Sequence, residues 1–385
     1  MGPIILLDKS ALQSLSDDEI GFLGKHYSPL MPPILLFEIL GDLSKYKGEA
    51  IKFEIAQKIS SGDFKINANH RTICLASLLG EKIEMRGVPV ISGGVQLETE
   101  KGEKGIFFDE PPEWKLVRKW QQGKYTLVDR VISGVWRRIS KEFDMEGYVR
   151  EFKKANSDLP RSDNFPDMYK SIHNITMDAR FQDFYLNFLM NEFNVAPRYR
   201  VAILTRWQRR ISLMLCDFAP YAFYCLNVSL IFHFGLASNL ITPKRTNPID
   251  LEYLYYLPFC MVFVSGDRFQ ANLSKLLLKQ DQDFVDRDVL KTDLLWLKEE
   301  WDGLDKTERE KRFYDNGAYP PQHNSNSITY KLWKKHMKPW KPGAGNLRLS
   351  KEDEKRLMEQ VRPMIDAIRK YEQERTGQSV PKSTV

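Results

Sequence analysis

The chain is short of the residues that build soft-metal and redox centres. Its four cysteines, Cys74, Cys216, Cys225 and Cys260, include no Cys-x-x-Cys pair, which excludes a zinc site of the usual spacing. Thiols scattered through so long a chain read as buried side chains of a reducing compartment, so a cytoplasmic location is expected. No secretory leader is expected either. The apolar run Ile4-Ile5-Leu6-Leu7 is too short, has no basic stretch before it and runs straight into Asp8. A strong excess of one charge is also missing. The net charge of +6 permits a polyanionic partner without requiring one. No internal repeat is visible. With 28% charged and 42% hydrophobic residues, wholesale disorder is not expected.

Long apolar runs are scarce as well. One stretch, Phe218 to Ile241, carries no formal charge and is flanked by Arg206, Arg209 and Arg210 before it and by Lys244 and Arg245 after it. Its length could span a bilayer. Pro220, Asn227, Ser229, His233 and Asn239 make it a poor span, and it reads as a buried central helix rather than a membrane segment.

The 385 residues suffice for two domains, or for one domain with a large insertion. Residues 3–7 and 261–265 read as buried parallel strands, and 33–36 as a short strand or strand-like entry to a helix reaching about residue 45. Helices are expected at 17–26, 48–60, 69–79, 269–278, 284–300 and 350–375. Residues 88–109 read as strands and turns around Gly93-Gly94, and 111–194 as helical with a break at Ser157 to Asp163. The expected fold is α/β: a Rossmann-like parallel sheet flanked by helices, built from residues 1–80 and 215–285. A mostly helical insertion, 81–214, would separate those halves, and 286–385 would be a helical extension carrying a basic-aromatic loop.

Four acids stand at the junctions of these elements. Asp8 ends the first apolar strand, and Asp267 follows Met261-Val262-Phe263-Val264-Ser265-Gly266. Glu38 follows Ile34-Leu35-Leu36-Phe37, and Asp250 precedes Leu251-Glu252-Tyr253-Leu254. Parallel strands gather their carboxyl ends on one edge, where ligands bind. Carboxylates on that edge could share Mg²⁺ or Mn²⁺, which prefer oxygen ligands, and such an ion can activate water against a phosphodiester. A structural role competes at each position. Asp8, Asp250 and Asp267 are good helix N-caps, and Glu38 could be a surface helix residue.

These pieces resemble the PIN-like nuclease superfamily. Ile5-Leu6-Leu7-Asp8-Lys9-Ser10 is similar to its first strand with Asp-x-Ser, and Leu35-Leu36-Phe37-Glu38-Ile39-Leu40 to its helix acid. Asn247-Pro248-Ile249-Asp250 and Val262-Phe263-Val264-Ser265-Gly266-Asp267 are similar to the third acid and the last strand. The resemblance implies a metal-dependent nuclease, chiefly a ribonuclease, with Asp8, Glu38, Asp250 and Asp267 as catalytic metal ligands. Ser10 and Ser265 would orient the carboxylates. Asp42 is the substitute for Glu38, and Glu252 for Asp250. RNA is the implied substrate, with DNA or branched nucleic acid as alternatives. An inhibitory protein partner and a homo-oligomer also belong to that picture. The rival reading keeps the fold and drops the catalysis, leaving a degenerate binding or scaffold module. The departure from a compact domain is the step of 212 positions from Glu38 to Asp250.

Basic and aromatic residues alternate in Tyr330-Lys331-Leu332-Trp333-Lys334-Lys335, continuing to Trp340-Lys341. On an exposed loop, Lys331, Lys334 and Lys335 would meet phosphates while Trp333 and Trp340 stack on bases. Core tryptophans with solvated charged neighbours are the alternative.

Overall fold

The computed structural model describes residues 2–43, 59, 61–91, 94–99, 102, 104–108, 112–142, 144–155, 161–210, 214–321, 323–339, 341 and 350–376. Among them the strands are β1 (Ile4–Leu7), β2 (Ser28–Met31), β3 (Lys65–Ile66), β4 (Gly94–Glu98), β5 (Lys104–Phe108), β6 (Val262–Ser265) and β7 (Asp283–Asp286). β4 and β5 form a separate antiparallel hairpin, and the other five make one parallel sheet in the order β3–β2–β1–β6–β7. The central strands are apolar on both faces because helices cover both. Ile5, Leu6, Leu7, Leu30, Met31, Val262, Phe263 and Val264 are all inaccessible to solvent.

The strand expected at 33–36 is a correction. That segment is helical, and the strand is Ser28–Met31, paired in parallel with β1 through Leu6 and Leu30. Pro33 opens the helix, where a fixed φ and a missing N–H do no harm. The strand was hidden because Ser28-Pro29-Leu30-Met31-Pro32-Pro33 has the composition of a loop.

The helices before the hairpin are α1 (Lys9–Ser14), α2 (Asp17–His26), α3 (Pro33–Leu43) and α4 (His70–Leu79). Ser16 and Glu19 start α2 with a reciprocal capping box. Between the hairpin and β6 come α5 (Pro112–Gln121), α6 (Leu127–Glu142), α7 (Met145–Ala155), α8 (Phe165–Thr176), α9 (Gln182–Glu192), α10 (Pro197–Gln208), α11 (Leu215–Phe218), α12 (Pro220–Ala237) and α13 (Asn247–Leu254). Then follow α14 (Arg268–Leu277), α15 (Arg287–Asp302), α16 (Lys306–Asn316), α17 (Ile328–His336) and α18 (Lys351–Thr376). The helix expected at 48–60 lies outside the described residues apart from Ile59, as do Gly93 and Ser157 to Pro160 of the expected turns.

Right-handed crossovers put the β1–β2 and β6–β7 connections on opposite faces of the sheet. α1, α2, α15 and α17 pack together as one layer, and α4, α12, α13 and α14 belong to the other. The helix expected at 284–300 begins later, because Asp283–Asp286 first pairs with β6 as the edge strand and Asp286 then caps α15. α15 packs on β6 and β7, so residues beyond 286 help cover the sheet. α12 is the one described helix long and apolar enough to cross a membrane, with a mean hydropathy of 1.2, and 72% of it is buried against its neighbours. Those neighbours are α4, α7, α8, α9, α11 and α13.

Candidate active site

Strand order positions the acids. From β1 the chain moves to β2 on one side, and from β6 to β7 on the other. The gap between β1 and β6 is therefore the topological switch point, beyond whose carboxyl ends open α/β sheets bind ligands. Asp8 leaves β1 there and Asp267 leaves β6 there, with Leu7 and Val264 in register just behind them.

Asp8 ends its strand by donating its backbone N–H to the carbonyl of Val264 at 3.1 Å, then caps α1. Its carboxylate accepts the Ala11 N–H at 2.7 Å, the Ser10 hydroxyl at 2.8 and 3.0 Å, and the Ser265 hydroxyl at 2.9 Å. Ser265 also accepts the Asp267 N–H at 2.9 Å, and Ser10 accepts the Gly266 N–H at 3.2 Å. The two serines thus lace the end of β1 to the end of β6. Asp267 caps α14, accepting the N–H groups of Phe269 at 2.7 Å and Gln270 at 3.1 Å.

Glu38 is not a surface residue. Its carboxylate accepts the Tyr253 hydroxyl at 2.5 Å and stands 3.9 Å from the Lys9 ammonium. Asp42, one turn further on, takes the closer ion pair with Lys9 at 2.7 Å and accepts the Gln13 amide at 3.1 Å. Asp250 is also a correction. The helix starts earlier than expected, with Thr246 at the cap, so Asp250 lies in the first turn of α13 instead of capping it. There the helix dipole favours an anion. The Gln270 amide donates to the Asp250 carbonyl at 2.9 Å and ties α13 to α14.

Asp8, Glu38 and Asp250 are each raised by burial and by acid neighbours. Burial raises Asp8 above the ordinary carboxylate range, outweighing the hydrogen bonds from Ala11, Ser10 and Ser265, and Asp267 adds to the rise. Burial likewise raises Glu38, against the Tyr253 hydrogen bond and Lys9, and with Asp8 and Asp42 adding. Asp250 is pushed up to about 7 by burial first, then by Asp267, Glu38 and Asp8, while Thr246 pulls the other way. Like charges gathered in a partly dry place disfavour ionisation of one another.

Glu252 belongs elsewhere. It pairs with His70 Nδ1 at 3.1 Å and lies 3.7 Å from Arg71, and burial pushes it up to about 7. Asn69 caps the helix that carries both partners. The basic-aromatic segment departs most from expectation. It is a helix, α17, and Trp333 is 4% exposed, its indole N–H donating to the carbonyl of His26 at 2.8 Å. Lys335 and His336 pair with Asp283, the first residue of β7. That places α17 at the amino edge of the sheet, a strand length away from the acids. Lys331 and Lys334 are exposed there, and Trp340 lies outside the described residues.

Sequence reading missed Lys9, Tyr253 and Gln270. Tyr253 had a signal, since it follows Asp250 by three residues and so shares its helix face.

No protein family model matches the chain, and neither a curated protein nor a solved structure does. The site's own chemistry is the remaining guide. Its donors are all oxygens and mutually repelling, which suits a hard divalent cation. Among the described residues no group of three or more His, Cys, Asp or Glu is spaced to hold a metal ion, so the carboxylates form a field of negative charge without a finished coordination shell.

Proposed function

We propose that the chain is a PIN-like, metal-dependent phosphodiesterase acting on RNA. The observation that carries this reading is the pairing of Asp8 and Asp267 across the switch point, with Asp250 close enough to be raised by Asp267, Glu38 and Asp8. Asp8, Asp267 and Asp250 would hold Mg²⁺ or Mn²⁺, with Glu38 at the margin. Bound there, the ion would supply charge at a phosphoryl oxygen and a more acidic water. The chain's own part is orientation. Ser10 and Ser265 fix the rotamer of Asp8, the Tyr253 hydroxyl fixes Glu38, and the α14 N–H groups hold Asp267 in place. Asp250, raised by burial and its acid neighbours, would have to lose its proton to serve as a ligand.

Asp8→Asn and Asp267→Asn test the reading. Asparagine keeps a capping oxygen, so both variants should stay folded by circular dichroism. Mn²⁺-dependent cleavage of single-stranded RNA should drop roughly a hundredfold or more. Full activity in both removes the site.

A second reading rests on Lys9, a resident cation that already neutralises Asp42 and stands by Glu38. It makes the chain a binding module with a silent site. Mn²⁺ titration separates the two, because a silent site gives no metal-dependent rise in melting temperature at pH 8.

A further inference from the structure

A cavity of about 400 Å³ opens between α4 and the two helices that carry Glu38 and Asp250. Phe37, Trp136, Arg71, Arg245, Ile249 and Glu252 are among its walls. It shares elements with the acid field: Phe37 precedes Glu38 on α3, and Ile249 precedes Asp250 on α13. The third wall is the amino end of α4, which follows β3, so the cavity lies over the carboxyl edge of the sheet on its β2–β3 side.

We infer that this cavity is a nucleotide subsite that takes one unpaired base with its phosphate, and so confines the substrate to strands that are single at that nucleotide. The inference deepens the phosphodiesterase reading and rests on it for the word substrate. The volume is at the small end of ligand pockets, which run from about 300 to 1,000 Å³, and suits one nucleotide but not a duplex.

The lining is of mixed chemistry. Phe37 and Trp136 stack with centroids 5.7 Å apart and planes 23° apart, and Phe37 keeps 39% of its surface exposed. Trp136 sits against the bare Cα of Gly41, where an added Cβ would meet the indole at 2.7 Å. Flat aromatic faces accept any base by stacking. Arg71, 3.7 Å from Glu252, and Arg245 are exposed guanidinium groups of the lining, suited to a phosphate. Asn69 and Glu252 offer polar groups to the edge of a base, and His70 behind them is packed face to face on Tyr255 at 4.6 Å. The buried His70 Nε2 has no hydrogen-bond partner, a polar atom the fold leaves unsatisfied. An inorganic anion would use only the arginines, and an apolar ligand only the rings. A nucleotide uses both, and from this cavity its phosphodiester would lie at the rim where Glu38 and Asp250 follow.

The test is calorimetric titration of the full chain in EDTA with AMP, GMP, CMP, UMP, ribose 5-phosphate and inorganic phosphate. At least one nucleotide should bind with Kd between about 10 µM and 1 mM. Ribose 5-phosphate and phosphate should bind at least tenfold more weakly. Arg71→Ala, Arg245→Ala and Trp136→Ala should each weaken the nucleotide tenfold or more. The arginines face solvent, so their variants remain informative if Trp136→Ala fails to fold. Absence of binding by all four nucleotides, equal binding of phosphate, or indifference to both arginine variants overturns the subsite. Because the titration contains no metal, loss of the subsite leaves RNA cleavage standing, and loss of cleavage leaves nucleotide binding standing.

Discussion

Asp8 and Asp267 serve as helix caps and as charges at the switch point, and the two roles are compatible because a cap uses only part of a carboxylate. This explains why they were legible from sequence. An apolar strand that stops in an acid and continues as a helix shows the cap, the strand end and the charge together. Asp250 shows a charge whose local setting opposes it. Its carboxyl is pushed up to about 7, chiefly by burial, so it keeps a proton in the folded chain over a range where the unfolded chain has lost it. Without metal, stability should therefore fall as pH rises from about 4 to 7 and stay low above that. Asp250→Asn removes the ionisable group. At pH 8 in EDTA the variant should be more stable than the parent by on the order of 1–2 kcal/mol, after discounting for partial solvent screening. At pH 4 the two should coincide, and Mn²⁺ should no longer raise the variant's melting temperature. Urea unfolding at the two pH values measures all three, and a variant less stable than the parent at pH 8 would contradict the buried-charge account.

At the scale of elements, the ends of β1 and β6 are held together by side chains as well as by strand pairing. Ser265 links them twice, donating to Asp8 and accepting from the Asp267 N–H. Ser265→Ala leaves the part-buried Asp267 N–H without its side-chain acceptor, at a cost of about 1 kcal/mol. It should also weaken Mn²⁺ binding about 10- to 100-fold, since groups that orient a ligand set the ion's affinity. Calorimetry with Mn²⁺ reads this, and affinity equal to the parent's would show that Asp8 needs no such support. The two apolar strands flanking the site could be read from their runs of Ile, Leu, Val and Phe. β2 could not, because Pro29, Pro32 and Pro33 outweigh Leu30 and Met31 in any local reading, and only pairing with β1 makes that segment a strand. Tyr253 and Lys9 were missed for a related reason: their partners, Glu38 and Asp42, lie on a helix that sequence alone does not bring alongside.

Across the whole molecule, the sheet is drawn from two stretches far apart in the chain, 4–66 and 262–286, and helices from the intervening segment and from beyond residue 286 close over it. The C-terminal part docks by polar as well as apolar contacts. The Asp293 carboxylate accepts from the N–H and hydroxyl of Thr329 and from the hydroxyl of Ser327, and the Tyr27 hydroxyl donates to Thr329 at 2.9 Å. Trp333 completes the joint. Its ring, like Leu332, is buried, and its N–H reaches the carbonyl of His26 as the chain turns into β2. Sequence showed the alternation of cations and rings in 330–335 but not which side of the fold it would face. Periodicity places Trp333 and Leu332 inward equally well, whereas the cations suggested an outward surface. The fold resolves this by setting the segment at the amino edge of the sheet, so its aromatic residue acts in packing. Trp333→Ala should then destabilise the chain by about 3–5 kcal/mol in urea unfolding, as loss of a large buried ring does. At a temperature where the variant is still folded, its cleavage of RNA and its nucleotide binding should match the parent's. Lys331→Ala with Lys334→Ala should leave stability within about 0.5 kcal/mol. A Trp333 variant of unchanged stability and weakened RNA binding would return the segment to the nucleic-acid surface and move the substrate path away from the acids.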